Sequence, residues 1–132
     1  MLNFSTKGEY GLRAMVNLAH NYPQIRNIKK ISNEEKISTK YLERLISDLR
    51  KNNLVKSIKG KNGGYVLAKK PKEISAGEII EIMEGPMTAK CQGIHCSAMK
   101  KCPSSFVWIK LGEQIRKTLY GIRLSDLIHP IK

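Results

Sequence analysis

Residues 38–68 read STKYLERLISDLRKNNLVKSIKGKNGGYVLA, and the fold is decided by a change of periodicity inside this stretch. Up to Asn52 the apolar residues Leu42, Leu45, Ile46 and Leu49 recur at spacings of three and four, which places them on one stripe of a helix. Ser38 stands where an N-cap belongs, since its hydroxyl can accept from the backbone N–H groups of the first turn. Lys40, Glu43, Arg44, Ser47 and Lys51 fall together on the opposite side, so the helix is greasy inward and charged outward. After Asn52–Asn53 the period drops to two. Residues 54–58 and 65–68 read as short strands joined by Lys59–Gly60–Lys61–Asn62–Gly63–Gly64, a glycine-rich turn that carries two lysines.

Upstream, Asn27 is placed to cap a short helix over 28–35 whose Ile28 and Ile31 turn inward. Two helices joined by a tight turn, the second basic on its outer face, read as a helix-turn-helix; a hairpin directly after it is a wing. A further helix over 6–20 carries Leu12, Met15, Val16 and Ala19 on one face and ends before Pro23. Downstream, Pro71 closes the hairpin, and Ser75 with Glu78 spells a capping box for a helix through Met83 that Gly85–Pro86 terminates. Cys102–Pro103 opens a last long helix, where Val107, Trp108, Leu111, Ile115, Thr118 and Leu119 form a stripe near heptad spacing. A chain of 132 residues offers little core for so long a helix, so the stripe is expected to pair with its twin in a dimer. Residues 124–128 add one more helical turn. The fold class expected is mainly α with a small β-hairpin wing. Residues 1–84 form the winged helix-turn-helix region, 85–103 a cysteine-containing sensor loop, and 104–132 the dimerisation helix and tail, all within one compact domain.

Charge points the same way. The chain has 24 Lys and Arg against 11 Asp and Glu, a net charge of +13. Basic composition alone is also what an AT-rich genome produces, so the distribution decides. Thirteen of the 24 lie in residues 29–72, against four acidic residues there, which concentrates the excess on the reading head. Such a patch neutralises phosphate and speeds encounter with polyanions. Aromatic residues make up only 6% and do not interleave with the basic patch, which argues against a single-stranded RNA platform. Neither a nucleophile elbow, a phosphate loop nor paired carboxylates occur, and His20, His95 and His129 stand in unrelated segments, so an enzyme is not expected. No apolar run approaches the ~20 residues of a membrane span, and MLNFSTKGEY is not a secretory signal. A cytoplasmic protein is expected.

Cys91, Cys96 and Cys102 are the only cysteines and lie within twelve residues of one another. An odd, clustered set in a cytoplasmic protein fits metal or redox ligands better than cross-links. Thiolates suit iron–sulfur clusters and zinc; both ordinarily want four protein ligands, so three cysteines leave one position open.

The chain as a whole resembles the winged-helix regulators that include the iron–sulfur cluster regulator IscR and the nitric-oxide sensor NsrR. The similarity runs from Ser5–Thr6–Lys7–Gly8 to about Ile128, through STKGEYGLRAM, the stretch from Ile37 to Pro71, EIMEGP, the three-cysteine loop, Val107–Trp108 and the late LSDLI. It implies a homodimer on partly palindromic double-stranded DNA, with one reading head per half-site. Carried over by position, Ser38, Lys40, Tyr41, Glu43 and Arg44 sit on the DNA-reading helix, and Lys59, Lys61, Asn62, Gly63 and Gly64 at the wing tip. Packing at the helix start is the alternative for Tyr41, and a solvated side chain the alternative for any single lysine. The resemblance also implies an iron–sulfur cluster, [2Fe–2S] or [4Fe–4S], on the three cysteines. In the IscR-like pattern a histidine three residues after the last cysteine completes the ligands, but Ser105 stands there. In the NsrR-like pattern an acidic residue of the other subunit does so just before Tyr–Gly–Leu–Arg, and Glu9 occupies that place. His95 is a local competitor. The first cysteine gap is four residues where cluster-binding relatives mostly have five, and zinc, thiol oxidation or cysteines without a role stay open. The expected function is a redox, nitric-oxide or cluster-sensing regulator, a repressor. A cluster-free regulator of cysteine metabolism, controlled by thiol oxidation or a protein partner, is the alternative within the family, and a basic RNA-binding protein the one outside it.

Overall fold

The computed structural model describes residues 5–86 and 103–128. Its helices are α1 (Thr6–His20), α2 (Ile28–Glu35), α3 (Thr39–Lys51), α4 (Ala76–Glu84), α5 (Ser105–Tyr120) and α6 (Leu124–Ile128), with strands β1 (Val55–Ile58) and β2 (Gly64–Leu67) and a 3-10 turn at Pro71–Glu73. The expected caps are made. Asn27 accepts from Lys29 N–H at 2.7 Å and Ser38 from Tyr41 N–H at 3.2 Å. At α4, Glu78 N–H donates to Ser75 Oγ at 3.1 Å while Ser75 N–H donates to Glu78 Oε2 at 2.8 Å.

The core is filled by the stripes that the periodicity predicts. Met15 and Leu18 of α1, Ile31 of α2 and Leu42, Leu45, Ile46 and Leu49 of α3 are essentially inaccessible, and Ile79 and Met83 of α4 close over them. The chain reaches the core again at Leu124, completely buried on α6. It gets there because residues 122–124 run back antiparallel beside 74–76: Ala76 N–H donates to Ile122 C=O at 2.8 Å and Leu124 N–H to Ile74 C=O at 2.9 Å.

The hairpin is antiparallel, with Val55 opposite Leu67 and Ile58 opposite Gly64. The strands lie within one residue of the predicted limits. A third backbone segment joins them, which the alternation does not announce. Arg26, just before α2, exchanges both backbone hydrogen bonds with Tyr65 at 2.8 Å. The wing is thus fastened to the entrance of the helix-turn-helix.

The long helix starts later than Cys102–Pro103 suggests. Pro103 and Ser104 form a turn whose carbonyls accept from Phe106 and Val107 N–H, and regular helix begins at Ser105. Ser104 takes the N-cap place, so Pro103 stands before the helix rather than in its first turn. Along α5 only Ser105 is buried, while Phe106, Val107, Trp108 and Leu111 are 62, 58, 60 and 42% exposed. The C-terminal end of the helix is fixed to α4. There the Tyr120 ring fills the place a side chain on Gly77 would take, and Arg116 Nε pairs with Glu81 Oε1 at 3.1 Å.

Candidate nucleic-acid interface

The turn between α2 and α3 sets the angle of the reading helix. Lys36 adopts a left-handed conformation (φ 59°, ψ 43°), and Ile37 N–H reaches back to Ser32 C=O at 3.2 Å, a Schellman-type ending that satisfies the last carbonyls of α2. Ile37 then drops into the core and Ser38 starts α3. With Leu42, Leu45, Ile46 and Leu49 anchored below, Lys40, Glu43, Arg44 and Lys51 are exposed and Ser47 is half-buried. The face so formed offers cations for phosphate, with Glu43 able to accept from a cytosine amino group.

Tyr41 has two aspects. Its ring packs edge-to-face on Tyr10 of α1, centroids 6.0 Å apart, and the Arg13 guanidinium lies 5.3 Å over Tyr10. It also lines the cleft beside α3, so packing on α1 leaves it at the surface of the candidate interface.

On the wing, Lys59, Lys61 and Asn62 are exposed. Gly60 has φ +117° with open space around it, a backbone that side chains resist, and Gly63 N–H closes the turn onto Gly60 C=O at 3.0 Å. Gly63 and Gly64 are partly covered, and their reason is close approach. A Cβ on Gly63 would lie 2.2 Å from Ile58 O and one on Gly64 2.3 Å from Arg26 O. These two glycines shape the wing, whereas the lysines and Asn62 are what it presents.

Lys7, which the sequence reading leaves out of the site, joins it in space. From the first turn of α1 its Nζ lies 3.2 Å from Asp48 Oδ2 on α3. With Lys40, Tyr41, Glu43, Arg44, Ser47 and Lys51 it lines a cleft of ≈ 690 Å³ along the reading helix. Forty-one residues separate Lys7 from Asp48, and no local pattern links them. Behind this face, α1 and α2 are tied together: Asn17 Nδ2 donates to Glu34 and Glu35 at 2.9 and 2.8 Å, and Arg13 reaches Glu35. Arg26 pairs with Glu34, and with Asn17 it holds the Glu34 carboxyl below its usual range.

Of the sensor residues, Glu9 is exposed on α1. Cys91, Cys96, Cys102 and His95 lie outside the described residues. Among the described residues no group of three or more His, Cys, Asp or Glu could hold a metal ion, and no helix is long and apolar enough to cross a membrane.

The matched family model, described as Rrf2, an iron-dependent transcriptional regulator, covers residues 4–130. The chain belongs to the Rrf2 family. Among curated Rrf2-type relatives, the HTH-type transcriptional regulator CymR of Bacillus subtilis is 36% identical over 127 residues, covering 96% of this chain and 89% of the relative. The HTH-type transcriptional regulator IscR of Erwinia tasmaniensis is 36% identical over 131 residues, covering 97% and 79%. Among solved structures, CymR, the global cysteine regulator of B. subtilis, superposes with a TM-score of 0.83 at 38% identity and 97% coverage of both chains. IscR of T. potens gives 0.78 at 38% identity, covering 96% of this chain and 86% of that one. The chain is therefore a DNA-binding transcription regulator of the Rrf2 family and not an enzyme, and the winged-helix fold is that of its relatives.

Proposed function

We propose that this Rrf2 regulator works as a homodimer that represses transcription by occupying a partly palindromic operator, one winged helix-turn-helix per half-site. The observation that carries this is the outer face of α3, where Lys40, Glu43, Arg44 and Lys51 stand exposed over a fully buried apolar stripe. Ser38, Lys40, Tyr41, Glu43 and Arg44 meet the major groove and its phosphates, and Lys59, Lys61 and Asn62 carry the wing to the adjoining backbone. The occupant of the uncovered α5 face is a second copy of the chain. Val107 and Trp108 each stand one turn before Leu111, at i, i+4 and i, i+3, with Phe106 at the flank, and a two-fold pairing of identical stripes covers this exposed apolar stretch.

The sensing element of this reading is an iron–sulfur cluster on Cys91, Cys96 and Cys102, with Glu9 from the other subunit as fourth ligand. The donor set fits: three thiolates suit iron, and an exposed carboxylate on α1 is available for a site shared across the dimer. When bound, an incompletely thiolate-ligated cluster supplies reactivity toward oxygen and nitric oxide. Similarity to a cysteine regulator supports a second reading, in which the same reading head is controlled without a cluster.

Two measurements decide. Selection of duplexes from random sequence is expected to return an inverted repeat, and preference for single-stranded RNA would overturn the regulator model. Iron and acid-labile sulfide in near-stoichiometric amounts, on protein purified without oxygen, are expected for the cluster reading. Colourless, iron-free protein that still selects an operator would leave the cluster-free alternative.

A further inference from the structure

The first turns of α1 lie between the end of α4 and the reading helix, and both sides are joined by specific contacts. On the α4 side, the Glu84 carboxylate grips Ser5. Ser5 N–H donates to Oε2 at 2.5 Å and Ser5 O–H to Oε1 at 2.6 Å. The next residues on that face are Gly8 and Gly11. A Cβ on Gly8 would come 2.6 Å from Glu84 Oε2, and one on Gly11 2.4 Å from Met83 Sδ. Two glycines three residues apart therefore let the last turn of α4 press against the backbone of α1. Such a carboxylate also satisfies a donor that the helix cannot satisfy itself, at the positive end of its dipole.

On the other side, α1 holds α3. Lys7 pairs with Asp48 at 3.2 Å and the Tyr10 ring meets Tyr41. An ion pair with both partners well exposed contributes little to stability, so its value lies in where it puts the helix. Lys7 and Tyr10 sit one turn apart, directly after the clasped Ser5. Both contacts to α3 thus start within one and a half turns of the clasp, and Asp48 and Tyr41 both line the cleft.

We propose that Glu84 is a positioning residue for DNA reading: by clasping Ser5 it fixes the start of α1, and through Lys7–Asp48 and Tyr10–Tyr41 it sets the pose of α3. The inference rests on the DNA-binding role proposed above, and does not depend on which sensor chemistry operates.

The test uses the full-length protein and a duplex operator obtained by selection, with a scrambled duplex as competitor. Glu84→Gln is expected to reduce the ratio of operator to scrambled affinity by about fivefold or more, while removal of a negative charge leaves scrambled binding equal or slightly tighter. Ser5→Ala, which keeps the backbone bond and deletes only the hydroxyl contact, gives a smaller loss in the same direction and serves if Glu84→Gln folds poorly. Hydrogen exchange is expected to rise in residues 39–48 of Glu84→Gln but not in β2. In a double-mutant cycle with Asp48→Asn, the two effects on operator affinity are non-additive although the residues do not touch. An unchanged affinity ratio, or strict additivity with unaltered exchange in α3, overturns the inference and leaves the regulator model standing. A wild-type protein that selects no duplex overturns both.

Discussion

Lys36 occupies a position that glycine would ordinarily fill. Its left-handed backbone ends α2 and turns the chain into α3, and its side chain is exposed, so the strain brings no packing in return. The conformational penalty for a residue with a Cβ there is ~1–2 kcal/mol, and glycine gives part of that back through a freer unfolded chain. Lys36→Gly is expected to stabilise the protein by about 0.5–1 kcal/mol, read as a raised denaturation midpoint with an unchanged slope. Glu34 carries a pH signature. Arg26 first, and Asn17 second, hold its carboxyl below the ordinary carboxylate value of 4.5 in the folded state. A depressed carboxyl stabilises the fold fully above the unfolded-state value and loses that contribution as pH falls through the folded one. The stability gap between wild type and Glu34→Gln should therefore be constant at neutral pH and close as pH drops below 4.5, followed by urea midpoints across that range. A gap that persists unchanged into acid would mean that the Arg26 contact has another basis.

At the scale of elements, the proposed function divides the work between the wing and the reading helix. Lys59 and Lys61 project from a turn whose shape is dictated by Gly60 and Gly63, so they can reach phosphate without disturbing β1 or β2. Removing both as Lys59→Ala/Lys61→Ala should weaken binding nearly uniformly across sequences. The slope of log affinity against log salt should fall by about 2, since each phosphate contact contributes about 0.9. Arg44 or Glu43 substitutions should instead change which sequences are preferred. If the double wing variant keeps its salt slope, the wing does not touch the backbone. The tie between Arg26 and Tyr65 gives this element its rigidity, because the hairpin alone is only two short strands.

For the whole molecule, α5 is the outstanding feature. Phe106 and Trp108 leave more than half their surface in water, an arrangement that a solitary chain does not favour but a two-fold pair does. Phe106→Glu with Trp108→Glu should yield a monomer by sedimentation while helix content is retained. Operator affinity should fall steeply, because one reading head forfeits the second half-site. Loss of helix along with the dimer would mean that α5 folds only on pairing, and an intact dimer would place the interface elsewhere. Among the described contacts, Tyr120 on Gly77 and Arg116 with Glu81 attach α5 to its own subunit.

Much of this protein is determined locally. Stripes of period 3.6 over 6–20, 28–35 and 39–51, the caps Asn27, Ser38 and Ser75, and the switch to period two after Asn53 reproduce the observed elements almost to the residue. They do so because each stripe is a burial pattern and each cap answers unsatisfied N–H groups within its own turn. The exposed side of α3 is legible for the same reason: once Leu42, Leu45, Ile46 and Leu49 point inward, Lys40, Glu43 and Arg44 must point out. What sequence periodicity does not encode is contact between distant turns. Lys7 beside Asp48, Glu84 on Ser5, Arg26 paired with Tyr65 and Gly64 pressed to the Arg26 carbonyl bring together residues 38 to 79 apart. Glycines 8, 11, 64 and 77 look alike in the sequence, and only the packed structure says which backbone or ring each one admits. Local chemistry wrote the elements and the face that reads; tertiary packing decided how that face is held.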